Sequence, residues 1–317
     1  MLASQQSELN RFLSVLTNIS IIGNYGMDDG WAVDGNICHR PGQDIVVPQY
    51  LGQSAINAFH DFIDKKQLGI EHRIYDSIFS GVVWFNRMPL EVMAKADAFN
   101  YINNHTERYL FTSHEPFNAL LYNPYTYFMY SPCGNACWSA RMYDGMAYFL
   151  IPIVINTGAI QAFERYFDWT QFTVKMNIST FENPELFIKY RQKLRIEVDL
   201  VRSILEEYRH ELAVEYAYSS KNYSQHSPHR TKNNFKLALH HPSSISMKRL
   251  LETTIYKKLI AIRKVFRWFI YHETGEVGRP NAYRLLTLEM WCRVAPPASK
   301  PSVCSMPVNA ISALEYV

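Results

Sequence analysis

The longest regular pattern in the chain runs from Asn183 to about Tyr218 and predicts a single helix. Asn183 is a favourable N-cap residue, and Pro184 suits the first helical position because no hydrogen bond is lost there. A helix of about 35 residues is about 52 Å long, which is more than a compact domain of this size needs. The pattern therefore predicts a structural helix that reaches across its neighbours. Apolar residues recur along it at spacings of three and four, on one face: Leu186, Tyr190, Leu194, Val198, Val201, Leu205, Tyr208, Leu212 and Tyr216.

A second amphipathic pattern covers about residues 246–271, with a predicted core stripe of Leu251, Ile255, Leu259, Ile262, Phe266 and Phe269. Further helices are predicted over residues 5–19, 53–66, 89–102 and 158–167, a strand over 172–178 and a packed loop region over 113–137. We therefore expect a mainly α fold with a small β component. It would be an irregular helical domain built around the long helix (about 183–218) and the second amphipathic helix (about 246–271).

No internal repeat or low-complexity linker divides the chain, so residues 1–317 are predicted to form a single structural domain. The domain has room for two lobes. Residues 1–180 would form a mixed helical and irregular lobe with short strands, and residues 181–295 a lobe around the long helix. Residues 296–317 contain four prolines and are predicted to be an extended tail that becomes ordered against a neighbouring surface.

Composition points to a contact function. The chain is 48% hydrophobic and 14% aromatic but only 19% charged, and rings that bury large areas are the usual anchors of protein–protein contacts. A net charge of +3 excludes a global polyanion-binding signature, so contact with nucleic acid would have to rest on a local cluster. The most apolar run, Met146 to Ile155, is too short to span a bilayer, so no membrane span is predicted.

The five cysteines are odd in number and irregularly spaced, and no signal peptide is predicted from the sequence. This usage predicts reduced intracellular thiols. Cys133 and Cys137 can supply two zinc thiolates, but a structural zinc site needs two further ligands, for which the pair Cys38–His39 is the one candidate. We therefore expect no metal, with Cys133 and Cys137 as small buried apolar residues.

The phosphate-binding, hydrolase and metalloprotease motifs are missing, so no catalytic residue, cofactor or small-molecule substrate is predicted. Asp28, Asp29 and Asp34 lie in a turn-rich loop that lacks the ligand spacing of a calcium loop. Histidines at four positions lie in a polar loop, where solvated side chains or a response to pH are the two interpretations: His226, His229, His240 and His241.

The one basic concentration in the chain covers residues 221–267. On a continuous helix its lysines and arginines would share about a third of the circumference, opposite the apolar stripe. They form either an ordinary solvated face or a surface for phosphates or an acidic partner. The candidate contact residues are Arg249, Lys257, Arg263, Lys264 and Arg267 on the helix and Arg230, Lys232 and Lys236 in the preceding loop.

The helical pattern around Leu9–Ile19, the extended stretch Pro41–Pro48 and the helix Gln53–Ile63 resemble the clamp proteins of turreted double-stranded RNA viruses (reoviruses). This resemblance implies a non-enzymatic virion protein that clamps or decorates the inner capsid shell through contacts with the shell protein. It further implies location in the virion and the host cell cytoplasm, and it brings no catalytic residues with it.

Two alternatives remain open from the sequence. The first is a nucleoprotein-like nucleic-acid-binding protein that uses the basic loop and helix, with RNA as its partner. The second is an enzyme or a secreted bacterial effector with a site around Asp28, Asp34 and His39 that matches no known motif.

Overall fold

A computed structural model describes residues 22–23, 26–27, 45–64, 69–80, 108–112, 121–132, 140–156, 159–223, 244–271 and 281–294. Its strands are β1 (Ile22–Gly23), β2 (Gly26–Met27), β3 (Ile45–Val46), β4 (Tyr75–Ser80), β5 (Tyr109–Thr112), β6 (Thr126–Ser131), β7 (Ile151–Asn156), β8 (Ala159–Ile160) and β9 (Val174–Asn177). Its helices are α1 (Gln53–Asp64), α2 (Ala140–Ala147), α3 (Ile178–Glu182), α4 (Pro184–Tyr223), α5 (Ile245–Glu252), α6 (Thr254–Val265) and α7 (Ala282–Val294).

Five of these strands form a parallel sheet in the order β5-β4-β6-β7-β9. The prediction of a mainly α fold is therefore wrong, because the protein has an α/β arrangement. The central strand β6 lies inside residues 113–137, which were predicted to be loop, and all six of its residues are buried. A strand covered on both faces has no alternation of polar and apolar residues, so the period-two signal is lost.

Helices cover both faces of the sheet. Met129 of β6 packs so closely on α2 that a Cβ added at Gly145 would lie 2.5 Å from the Met129 methyl carbon. The next residue on the strand, Tyr130, points to the opposite face and meets Phe187 of α4 with 5.5 Å between ring centroids. The sheet is thus the middle of three layers.

The long helix is confirmed as α4. The Asn183 side chain accepts a hydrogen bond from the backbone N–H of Leu186, as predicted for an N-cap. The stripe is confirmed from Leu194 to Tyr208, whereas Leu186 at its start is exposed and Phe187 is buried in its place.

The second helix is interrupted, so the prediction of one continuous helix over residues 246–271 is wrong. Thr253 has an extended backbone between α5 and α6 and caps both of them. Its hydroxyl donates to the Leu250 carbonyl and accepts from the Tyr256 N–H. A 3-10 turn, Phe266–Phe269, follows α6.

Two smaller predictions also change. The helix expected over residues 158–167 is replaced by β8 and a series of turns, and the strand expected over 172–178 is shortened to β9 because α3 begins at Ile178. The helix expected over 53–66 is confirmed as α1. The predicted helices over 5–19 and 89–102 and the predicted tail 296–317 lie outside the described residues.

A single cluster of buried side chains extends from Ile45 to Cys292. Much of it is aromatic. The Phe269 ring lies 5.3 Å from the rings of both Phe167 and Trp169 and 5.8 Å from that of Tyr143. This packing joins the end of α6 to α2 and to the turns before β9.

Candidate functional site

The order of strands in the sheet identifies where a ligand would be expected. Across the sheet, the strands that come second, first, third, fourth and fifth in the chain lie side by side. The chain therefore moves from β4 towards one side of the sheet, to β5, and from β6 towards the other side, so the connections diverge at the point between β4 and β6. Open parallel sheets bind ligands outside the carboxyl ends of their strands at such a switch point. All five strands run in the same direction, and the last residue of each, at the carboxyl edge of the sheet, is small and polar: Ser80, Thr112, Ser131, Asn156 and Asn177.

The strand ends on either side of the switch point are level with one another. Ile78 lies opposite Met129 of β6, so two residues further on Ser80 is level with Ser131. Thr112 of β5 lies opposite Ser80 on the other side. Two strand spacings, about 10 Å, therefore separate Thr112 from Ser131.

Helix α2 is held with its first turn at this edge of the sheet. Eight residues, 132–139, connect the end of β6 with Ala140 at the start of α2, and the first of them, Pro132, is buried. The Arg141 guanidinium stacks 4.8 Å from the centre of the buried Phe79 ring. On the same turn, burial raises the pKa of Asp144, and Arg141 opposes that shift.

The connection between β6 and α2 contains the thiol pair singled out from the sequence. Residues 132–137 read Pro-Cys-Gly-Asn-Ala-Cys, so Cys133 directly follows the last described residue of the strand end. Sequence reasoning treated Pro132 as a loop residue and did not link it to Cys133, and it overlooked a histidine and a glutamate two positions apart upstream, His105 and Glu107. A paired H-x-E and P-C-x-x-C pattern is the signature of zinc-dependent deaminases of nucleobases.

A second histidine–glutamate pair, His114–Glu115, follows the carboxyl end of β5 by one residue. The Cα of His114 can therefore lie at most about 7 Å from that of Thr112, which is level with Ser131. In contrast, Tyr109 at the start of β5 is about 14 Å from Ser131 on strand geometry. The sequence spacing thus favours His105, and the position of β5 favours His114.

The other metal and histidine candidates of the sequence are not placed by the structure. Asp28, Asp29, Asp34, Cys38 and His39 all lie outside the described residues, as do Cys133, Cys137 and the four loop histidines. Within the described ranges, no group of three or more His, Cys, Asp or Glu side chains is arranged to hold a metal ion.

One cysteine differs from its prediction. Cys292 in α7 is buried and disulfide-bonded, so the expectation that all five thiols are reduced is wrong at this position. The other four cysteines lie outside the described residues.

A cleft of about 1190 Å³ lies at the opposite, amino-terminal edge of the sheet, between β4 and α4. Four arginines line it: Arg73, Arg108, Arg202 and Arg209. Sequence reasoning did not single them out, because they are far apart in the chain and belong to no motif.

The arginines of this cleft are occupied by protein groups. Arg73 donates to the Thr126 carbonyl at 2.7 Å and to the Phe149 carbonyl at 2.9 Å, and burial lowers the pKa of Arg73 to about 10. From α4, Arg202 donates to the Ile74 carbonyl at 2.5 Å. These bonds fasten the turn after α2 to the sheet edge, and α4 to the residues before β4.

Carboxylates complete the same network. Arg108 donates to Asp76 at 2.5 Å and pairs with Asp199 of α4 at 2.7 Å. Burial raises the pKa of Asp76, while Arg108 and then Arg202 act in the opposite direction. Since its cations are matched by carbonyls and carboxylates, the cleft is better explained as a structural joint between α4 and the sheet than as a ligand site.

The basic residues predicted to contact phosphates are divided by the break at Thr253. Arg249 on α5 pairs with Glu207 of α4, so it does not belong to the face of α6. Lys257, Lys264 and Arg267 are exposed. Arg263 is partly buried, and Arg230, Lys232 and Lys236 lie outside the described residues.

Comparison with known proteins does not add an assignment. No protein family matches the chain, and no curated protein matches it. None of the helices in the described ranges combines the length and the apolar character needed to cross a bilayer.

Proposed function

We propose that the protein is a zinc-dependent hydrolytic deaminase that acts on an amino group of a nucleobase. The observation that carries this proposal is where β6 ends: its buried last residue, Ser131, and the buried Pro132 after it lie beside the switch point of the sheet, where ligands of such sheets bind. In the sequence, Cys133 follows Pro132 directly, and Cys137 comes three positions before the start of α2.

The donor set suits zinc. Two cysteine thiolates and one histidine nitrogen are the ligands of zinc-dependent deaminases, and three protein ligands leave a fourth position open. Cys133 and Cys137 would provide the thiolates, and either His105 or His114 the nitrogen. When bound, zinc would supply an activated water for attack on the ring carbon that carries the amino group.

A glutamate of the chain would move the proton. The reaction adds water to the ring carbon and releases the amino group as ammonia, leaving a carbonyl, so a proton must pass from the water to the departing nitrogen. Glu107 would do this if His105 is the ligand, and Glu115 if His114 is. The chain departs from the usual signature in having three residues instead of two between its cysteines.

Metal content is the first test. Protein purified from zinc-supplemented medium should contain about one zinc per chain, and the double variant Cys133→Ser/Cys137→Ser should lose it. Cys38→Ser serves as the matched control and should retain the metal. Zinc content unchanged in the double variant would contradict the proposal.

Two further variants identify the histidine. Zinc should be lost in one of His105→Ala and His114→Ala and retained in the other. Ammonia release from cytidine, adenosine and their oligonucleotides then tests the chemistry. Glutamine at the matching glutamate should abolish release while the metal stays bound. A zinc-loaded protein that releases no ammonia from any of these substrates would have a structural metal site only, and the enzyme proposal would fail.

The capsid clamp is retained as the second candidate, and one observation favours it. Tyr283, Met290 and Trp291 lie on one face of α7 and are each about half exposed, although large apolar side chains are costly to leave in water. A shell protein could cover this face. Incorporation of the wild-type chain into capsid-like particles, lost in Trp291→Glu, would support the clamp, whereas equal incorporation of both would count against it.

A further inference from the structure

Three cations on α6 and the turn after it form a row that makes no hydrogen bond or ion pair with the described part of the chain. Lys257, Lys264 and Arg267 are seven and three residues apart, which places them on one side of α6 and its following turn. All three are exposed. Among the hydrogen bonds and ion pairs of the described residues, their side chains have no partner.

The neighbouring cations behave differently. Lys258 donates to the carbonyls of Thr170 and Thr173, both at 2.6 Å, and Arg249 pairs with Glu207. Those two side chains hold α6 and α5 against the rest of the protein. The α6 row makes no such contact among the described residues, and two of its cations, Lys264 and Arg267, are like charges three positions apart, an arrangement that is unfavourable within a helix.

The segment that carries the row is poor in acids. Residues 245–271 contain seven lysines and arginines and a single carboxylate, Glu252, which lies on α5 beyond the break at Thr253. Along α6 the row extends about 15 Å. That length is enough to reach several phosphates of one nucleic-acid strand, since even along the axis of duplex DNA the charges of one strand are about 3.4 Å apart.

We infer that the α6 row binds the phosphate backbone of single-stranded nucleic acid, and that the target base reaches the enzyme as part of a polynucleotide. The inference has two parts. The binding half, that the row binds a single strand, rests on the row itself, and the substrate half, that the target base belongs to a polynucleotide, rests on the proposed deaminase function. Deaminases that act on polynucleotides either use single-stranded substrate or flip the target nucleotide out of the duplex, because the target atom is inaccessible inside it, and a single strand avoids the cost of unpairing.

Salt dependence of binding tests the row directly. Anisotropy of a fluorescent 15-nucleotide poly-dT strand is titrated with full-length protein at several salt concentrations. Each phosphate contact contributes about 0.7 to the slope of log K against log salt for a single strand, so Lys257→Ala/Lys264→Ala/Arg267→Ala should reduce the slope by about 2. The melting temperature of this triple variant should stay unchanged, because the three side chains are exposed.

A matched variant separates a binding row from net charge. Lys175→Ala/Lys189→Ala/Lys193→Ala removes three exposed lysines outside α6, with the same change in charge. It should leave the slope within about 0.5 of wild type. An unchanged slope in the α6 variant, or an equal reduction in the control, would overturn the inference.

The same proteins distinguish failure of the row from failure of the proposed function. Release of ammonia from free cytidine or adenosine, without measurable binding of the strand, would refute the row and leave the deaminase standing. Strand binding that depends on the row in a protein without zinc would refute the deaminase and the substrate half, and leave the binding half standing. Loss of oligonucleotide deamination in the α6 variant, with nucleoside deamination retained, would support both halves.

Discussion

Replacement of Leu205 by alanine measures how much the buried face of α4 contributes to stability. Leu205 is 3% exposed, whereas Leu200 on the same helix is 48% exposed. The pair therefore allows one substitution to be compared at a buried and at an open site of one helix. Helix propensity changes equally in both, so it cancels in the difference.

The magnitude follows from the atoms removed. Leucine to alanine removes three carbons, and at about 0.8 kcal/mol per buried carbon the transfer cost is about 2.4 kcal/mol. Leu205 lines the amino-terminal cleft, so the space left behind joins an existing opening and adds little to the cavity cost. We expect Leu205→Ala to lower the free energy of unfolding by about 2.5–3.5 kcal/mol and Leu200→Ala by less than about 1 kcal/mol.

Urea denaturation followed by circular dichroism measures both variants. For a chain of 317 residues the unfolding entropy is about 0.7 kcal/mol per kelvin, so Leu205→Ala should also lower the melting temperature by about 4–5 °C. Equal effects of the two substitutions, within about 0.5 kcal/mol, would refute the assignment of Leu205 to the core and with it the packing of α4 on the sheet edge.

Three further predictions follow from the described contacts. Arg73→Met should lower the free energy of unfolding by about 2–4 kcal/mol in a urea titration, because buried carbonyls lose a charged donor; a change below 0.5 kcal/mol would contradict this. The pKa of Glu211 is held below its usual value of 4.5 mainly by the hydrogen bond from Ser246, so its stabilising effect is present above about pH 4.5 and is lost as pH falls through the lower folded pKa. The stability difference between wild type and Ser246→Ala should accordingly shrink between pH 6 and pH 3, and a constant difference would exclude this origin. Since Cys292 is disulfide-bonded, at most three of the five cysteines (5 − 2) should react with Ellman's reagent before reduction, and five reactive thiols would exclude the bond.

The sequence was informative about α4 because one period persists for about ten turns and begins at a clear cap. Its phase was misjudged only at the first turn, where Phe187 is buried and Leu186 is exposed. Phe187 is buried because its ring packs against Tyr130 of β6 and Phe181 of α3. The spacing of apolar residues within α4 carries no information about these two elements.

The sheet was missed because its central strands lack alternation. The six residues Thr126–Ser131 comprise three aromatic residues, one methionine and two small polar residues, and all are buried, so they fit neither a helical nor a half-exposed strand pattern. A usable signal was present: a short apolar run between Pro124 and Pro132 is typical of a strand covered on both faces. The break at Thr253 was missed for a different reason. One threonine hydroxyl caps both helices, because it donates to a carbonyl of α5 and accepts from an N–H of α6, and no glycine or proline marks the position in the sequence.

Only part of the candidate site was predicted from the sequence. Cys133 and Cys137 were recognised as a thiol pair, but the case for them as metal ligands depends on which part of the fold they follow. Only the strand order shows that β6, which ends just before Cys133, borders the switch point, and that order is set by contacts between residues 21 to 51 positions apart. The basic cluster was recognised as well, but the division between the paired Arg249 and the unpaired α6 row follows from the helix break.

Helix α4 contacts β4 and helix α6 contacts β7 and α4, and the late position of both helices in the chain has a consequence for synthesis on the ribosome. The fifth strand of the sheet ends at Asn177, whereas α6 ends at Val265, 88 residues later (265 − 177). At about 5–20 residues per second, translation takes about 4–18 s to cover that interval. At the start of that time Phe187, which packs on Tyr130 of β6, has not been synthesised. Later, α4 is present but α6 is still incomplete, so the sheet is only partly covered. Nascent chains are therefore expected to depend on a holding chaperone until the second half of the protein has emerged.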